Sequence, residues 1–100
     1  MSIIDEHIDK IRQLCATHKV KRLYAFGSVL SAKFNEQSDV DMIVDFAQMP
    51  VNDYADNYFD LKFSLEEVFK RPVDLIEETA IRNPFFKENI NSSRQVVYAN

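Results

Sequence analysis

The chain has one glycine, three prolines and one cysteine in 100 residues. A single cysteine, Cys15, excludes an internal disulfide, so the sequence reads as that of a cytoplasmic protein kept in a reducing setting. No wholly apolar run exceeds about four residues, far below the ~20 that a membrane helix needs, so no membrane partner is expected. The opening Met1-Ser2-Ile3-Ile4-Asp5-Glu6 turns acidic at once and offers no basic or apolar targeting region. Basic charge is also short: 12 Lys and Arg against 16 Asp and Glu leave a net charge of −4. That balance argues against general nucleic-acid binding as the main task, because a phosphate backbone attracts the opposite sign. The scarcity of glycine makes Gly27 informative, since a sequence that spends only one has a specific place for it.

What is present is enough for one folded domain, taken as residues 1–100. Hydrophobic residues make up 46% and charged residues 28%, which excludes a disordered chain. Ser2 and Asp5 form a weak capping box, and Ile4, Ile8, Ile11 and Leu14 make an apolar helical stripe ending near Thr17. Leu23-Tyr24-Ala25-Phe26, ended by Gly27, reads as a buried strand, and Ser28 as the cap of a short helical turn to about Lys33. Asn35 to Ser38 is a polar loop. From Asp39 to Phe46 the pattern alternates, which predicts a strand with Val40, Met42, Val44 and Phe46 facing the core. Asn52 or Asp53 opens a long helix whose stripe is Tyr54, Tyr58, Leu61, Leu65 and Val68, widened by Ala55 and Phe69. Glu66–Lys70 and Glu67–Arg71 are expected as outward pairs, with Pro72 as the stop. Val73 to Ile76 is a strand, Asn83-Pro84 opens a last helix, and Gln95 to Ala99 is a final strand.

Three features carry chemistry. Asp39 and Asp41 stand at i and i+2 of a strand, so they point the same way about 6.5–7 Å apart. Two carboxylates so placed can converge on one Mg²⁺ or straddle two ions about 3.5–4 Å apart. A solvated pair at a strand end is the other reading, and the residues leave both open. Asp45 lies about 13 Å beyond Asp41, too far to reach the same ion, and is expected to make a surface ion pair. Gly27-Ser28 ends a strand where free backbone N–H groups can face an anion, although an ordinary turn has the same sequence. Asp74 interrupts the apolar run Val73-Leu75-Ile76; if its strand lies beside that of Asp39, all three carboxylates can share a site.

Taken in order, these features resemble the polymerase-beta-like nucleotidyltransferase superfamily. The resemblance is closest to its minimal nucleotidyltransferase (MNT) members, often antitoxins paired with HEPN toxins. Phe26-Gly27-Ser28 matches the family's Gly-Ser turn, Ser38 to Val44 its paired-acid strand, and Val73-Asp74-Leu75 its third-acid strand. The resemblance implies an α+β nucleotidyltransferase fold, with a small mixed sheet of about four strands and helices mainly on one face. It also implies a Mg²⁺-dependent enzyme that moves an NMP, AMP above all, from NTP to a hydroxyl. The acceptor would be a tyrosine of a HEPN toxin, in a hetero-oligomer. Asp39, Asp41 and Asp74 would hold two Mg²⁺ ions, while Gly27, Ser28 and Lys33 would meet the phosphates. Many family members carry arginines just after the Gly-Ser; here Val29-Leu30-Ser31-Ala32-Lys33 follows, and Lys33 is the nearby cation. That departure keeps a second reading open, in which the fold neutralises a toxin by binding with weak or no catalysis. The Arg12 and His18 side chains diverge around their helix and are set aside, and Cys15 is expected in the core. Phe85 and Phe86 cannot both be buried by one stripe.

Overall fold

The computed structural model describes residues 2–31, 34–35 and 37–100. The first apolar stripe forms a broken helix. Ser2–Glu6 (α1) and Ile8–Thr17 (α2) separate at His7, whose φ of −116° and ψ of 16° leave the helical region. At the break the His7 ring lies edge-on to Phe69, with centroids 6.0 Å apart. Of the predicted stripe Ile4 and Ile11 are buried and Ile8 and Leu14 half-buried, and Cys15 lies in the core as expected. The cap expected of Ser2 concerns a side chain outside the described ones.

The first strand, β1, spans Val20–Phe26 and so begins earlier than its apolar run. Lys21 and Arg22 are exposed, which hides this end of the strand from hydropathy. β1 runs antiparallel to β2, Val40–Phe46. Here the structure departs from the one-sided strand expected: Val40, Met42 and Val44 are buried on one face, but Ile43 is fully buried on the other. The long helix α3, Val51–Phe69, follows Pro50 and returns the chain to β3, Val73–Glu77, parallel to β2. A last helix α4, Pro84–Ser93, leads to β4, Gln95–Ala99, antiparallel to β1. The Asn83 side chain accepts from the N–H groups of Phe85 and Phe86, the cap the sequence predicts. The sheet is four-stranded and mixed, in the order β3-β2-β1-β4.

Two cores flank the sheet. The larger gathers Ile4, Ile11 and Cys15 from α1 and α2 and Leu61, Leu65 and Phe69 from α3 against Leu23, Met42 and Val44. The smaller joins Phe26, Ile43 and Ile90 and is covered by α4. Helices therefore lie mainly on one face, with α4 alone on the other.

Along α3 the buried line is Leu61, Leu65 and Phe69, spaced by four. Val68 is only half-buried and Ala55 is exposed, so neither belongs at the centre of the stripe. The helix ends at Lys70, which takes the left-handed conformation (φ 57°) ahead of Pro72. Glu66 does not serve as an outward partner: its carboxylate accepts the Val73 N–H at 3.0 Å. Arg71 likewise turns away from Glu67, toward the loop before β2.

Leu65 has no exposed surface. Leu65→Ala is expected to cost about 2–5 kcal/mol in urea unfolding, through lost burial and a residual cavity. Phe63→Ala, at a side 57% exposed, should stay within about 0.5 kcal/mol of the parent.

Candidate active site

β1 ends at Phe26, and Gly27 to Leu30 form a single 3-10 turn. Gly27 has a φ of +74°, a conformation most side chains avoid. Its bare α-carbon also meets a specific neighbour: a Cβ there would stand 2.7 Å from Oδ2 of Asp41. The register explains this, because Phe26 is the partner of Asp41 across β1 and β2. Glycine thus answers two demands at once, a left-handed corner and room for a carboxylate.

Ser28 is not the cap that the sequence suggests. Phe26, in extended conformation, takes that place, and Ser28 is the second residue of the turn. The Ser28 carbonyl accepts the Ser31 N–H at 2.9 Å and the Ser31 hydroxyl at 3.1 Å. The turn closes at Leu30, short of Lys33, and Lys33 itself lies outside the described residues.

Parallel pairing sets Asp41 directly beside Asp74, on strands about 4.8 Å apart. Asp39 is exposed and immediately precedes β2. Burial raises the Asp41 pKa first, and the charges of Asp74 and Asp39 raise it further. The three acids are therefore close enough to repel one another at one corner of the sheet, beside the Gly27 turn. Asp45 is separate, as expected, and pairs with Arg22 at 3.8 Å.

The donor set is all carboxylate oxygen, which suits a hard cation such as Mg²⁺. Among the described residues no three Asp, Glu, His or Cys side chains close around one point. Mg²⁺ does not require such a cage, because it keeps several waters and binds through one or two carboxylates plus substrate phosphates. The corner therefore fits the ion as a site finished by its substrate. A cavity of about 500 Å³ opens at the other end of β2, lined by Phe46, Met49, Tyr54 and Glu77 among others, and none of the three acids reaches it.

Two neighbours were not evident in the sequence. The Tyr58 hydroxyl donates to the Leu75 carbonyl, and its pKa is raised by burial, then by Asp74 and Glu77. Arg71 lies over the Phe34 ring, 4.7 Å from its centroid, and donates to the carbonyls of Asn35 (2.8 Å) and Ser38 (3.1 Å). These contacts span more than thirty positions along the chain, so no local pattern signals them. Cys15 is in the core, and burial pushes its thiol up to about 12, which removes it from nucleophile duty.

Two outcomes follow for the metal-free protein. Gly27→Ala should cost about 1–3 kcal/mol in thermal or urea unfolding, since it imposes strain and displaces Asp41. The Asp41 pKa is raised on folding, so its favourable contribution is complete below the unfolded value of 3.8 and is lost as pH rises through the folded value. Asp41→Asn should accordingly raise Tm at pH 7 in chelator, and the advantage should vanish as pH falls toward 3.8.

The polymerase beta nucleotidyltransferase family pattern matches residues 9–100. Protein MJ0128 of Methanocaldococcus jannaschii, provisionally named a protein adenylyltransferase, is 35% identical over 94 residues, covering 90% of this chain and 93% of the relative. A solved structure described provisionally as a minimal nucleotidyltransferase superposes with a TM-score of 0.77 at 26% identity, covering 95% of each chain. The MNT antitoxin solved in complex with a tri-AMPylated HEPN toxin of Shewanella oneidensis superposes with a TM-score of 0.66 at 18% identity, covering 97% of this chain and 73% of that one. The family match over residues 9–100 and the identity with MJ0128 settle the affiliation: this chain belongs to the polymerase beta nucleotidyltransferase family.

Proposed function

We propose that this chain is a Mg²⁺-dependent protein adenylyltransferase of the cytoplasm, which moves AMP from ATP to a tyrosine of a HEPN-type toxin and so acts as its antitoxin. The observation that carries the reading is the corner where bare Gly27 meets Asp41, with Asp74 in register beside it. The name given to MJ0128 and the modified toxin held by the Shewanella oneidensis antitoxin support the reaction and the partner.

Each residue then has a defined task. The Gly27-Ser28 turn seats the polyphosphate on backbone N–H groups, where no Cβ obstructs it. Lys33 supplies a cation from the same connection. Asp39 and Asp41 hold Mg²⁺, and Asp74 completes the set on the side of the acceptor. Bound Mg²⁺ supplies charge neutralisation at the phosphates and activation of the acceptor hydroxyl. The acceptor oxygen bonds to the α-phosphorus as the bond to the β-phosphate oxygen breaks. Pyrophosphate leaves, and the hydroxyl proton passes to solvent. The chain contributes positioning and a preorganised field. The acids lie at an open corner of a small chain, so a partner that brings the acceptor also helps enclose the reaction.

The lack of arginines after Gly27-Ser28 favours a second reading, an antitoxin that neutralises by binding alone. Intact mass separates the two. With ATP and Mg²⁺, the cognate HEPN protein should gain one or more AMP units. Asp39→Asn with Asp41→Asn should abolish both the gain and metal-dependent ATP binding by calorimetry. Asp74→Asn should stop the transfer while the complex survives size-exclusion chromatography. A tight complex whose toxin mass never changes, neutralised equally by Asp74→Asn, would leave the binding reading in place.

A further inference from the structure

Asp39 is the one acid of the three that lies outside the strands, in a connection whose placement the sheet does not fix. Both of its chain neighbours are nevertheless tied down, one to Arg71 and the other to the adjacent Pro72. Arg71 donates to the Ser38 carbonyl at 3.1 Å, and the Val40 N–H donates to the Pro72 carbonyl at 3.1 Å. The segment ahead of Ser38 is closed on itself by Ser38 N–H to Asn35 carbonyl (3.0 Å) and Asn35 N–H to Ser38 Oγ (3.1 Å). Arg71 holds this closed turn as a unit by a second bond, to the Asn35 carbonyl at 2.8 Å, with Phe34 stacked against its guanidinium. Its Nε is buried with no hydrogen bond among the described residues, where the planar group is held by the ring and the two carbonyls.

We infer that Arg71 is a positioning residue for Asp39. It clamps the turn before β2 to the lead-in of β3, and thereby fixes the Asp39 carboxylate relative to Asp41 and Asp74. The same two residues that position Asp39 run directly into the strand of Asp74, so all three acids share one frame. A lysine cannot replace this clamp, because an ammonium lacks the flat fork that stacks on Phe34 while reaching two carbonyls. The inference rests on the reading of Asp39 as a metal ligand.

The test uses Mn²⁺ as probe, followed by electron paramagnetic resonance with a non-hydrolysable ATP analogue, at a temperature where circular dichroism shows every variant folded. Arg71→Ala should weaken Mn²⁺ binding about tenfold and lower transfer by about 10–100-fold, with excess Mn²⁺ recovering part of the rate. Arg71→Lys should fall between parent and alanine. Arg22→Ala, at the far end of the sheet, should match the parent. The sign is diagnostic: removing a positive charge near three acids would by electrostatics alone tighten cation binding, whereas a displaced Asp39 loosens it. Tighter or unchanged Mn²⁺ binding in folded Arg71→Ala overturns the clamp. If Arg71→Ala does not fold, Phe34→Leu, which removes the stacked ring, reads the same loss of affinity, and unchanged binding there overturns the clamp equally. Failure of the underlying reading looks different: the parent itself would bind Mn²⁺ no better than Asp39→Asn with Asp41→Asn, and the clamp would fall with it.

Discussion

The contact between Gly27 and Asp41 is the constraint on which the site depends. A carboxylate lies where any other residue would put a methyl group. The contact joins the turn at the end of β1 to the start of β2. It also places the turn's backbone N–H groups beside the acid they would share a substrate with. Two other left-handed corners, Lys19 and Lys70, carry lysine, so what singles out Gly27 is the lack of room for a Cβ as well as its φ.

Around that contact the chain accumulates charge of one sign. Asp41 is half-buried with two acids close by, and burial first, then the charges of Asp74 and Asp39, raise its pKa. Among the described residues nothing relieves this charge: Arg71 is bound to backbone carbonyls, and Asp45 has its partner, Arg22, at the far end. Such an arrangement costs stability in the isolated chain, which is the ordinary trade between a stable fold and a working site.

The sequence was most legible where pattern and structure share a period. The strand of Asp41, the single acid in Val73 to Ile76, the Asn83-Pro84 start of the last helix and the Leu61-Leu65 spacing all survive in three dimensions, whereas Asp39, expected in that strand, falls just ahead of it. It was least legible where tertiary contacts override local preference. The strand expected from Leu23 begins instead at Val20, because pairing of Arg22 with Asp45 and Ala99 outweighs the polarity of this end. Ile43 reads as a solvent-facing residue among acids, yet α4 crosses over it. The helix break at His7 and the exposure of Ala55 are likewise set by how neighbours pack. In the site, residue types and strand placement could be read, but not the clamp of Arg71, whose partners lie across the fold.

The parallel pairing of β2 with β3 carries a kinetic consequence. Gly27 and Asp41 meet through a hairpin-like connection, a short closure for the chain. Asp41 and Asp74 meet only after the whole of α3 has crossed over, and parallel contacts of this kind are reached late because the entropy of closing the loop precedes any reward. A nascent chain therefore holds half a site before it holds a whole one. Val73 and Leu75 of β3 belong to the large core, so the pairing that brings Asp41 and Asp74 together also completes that core.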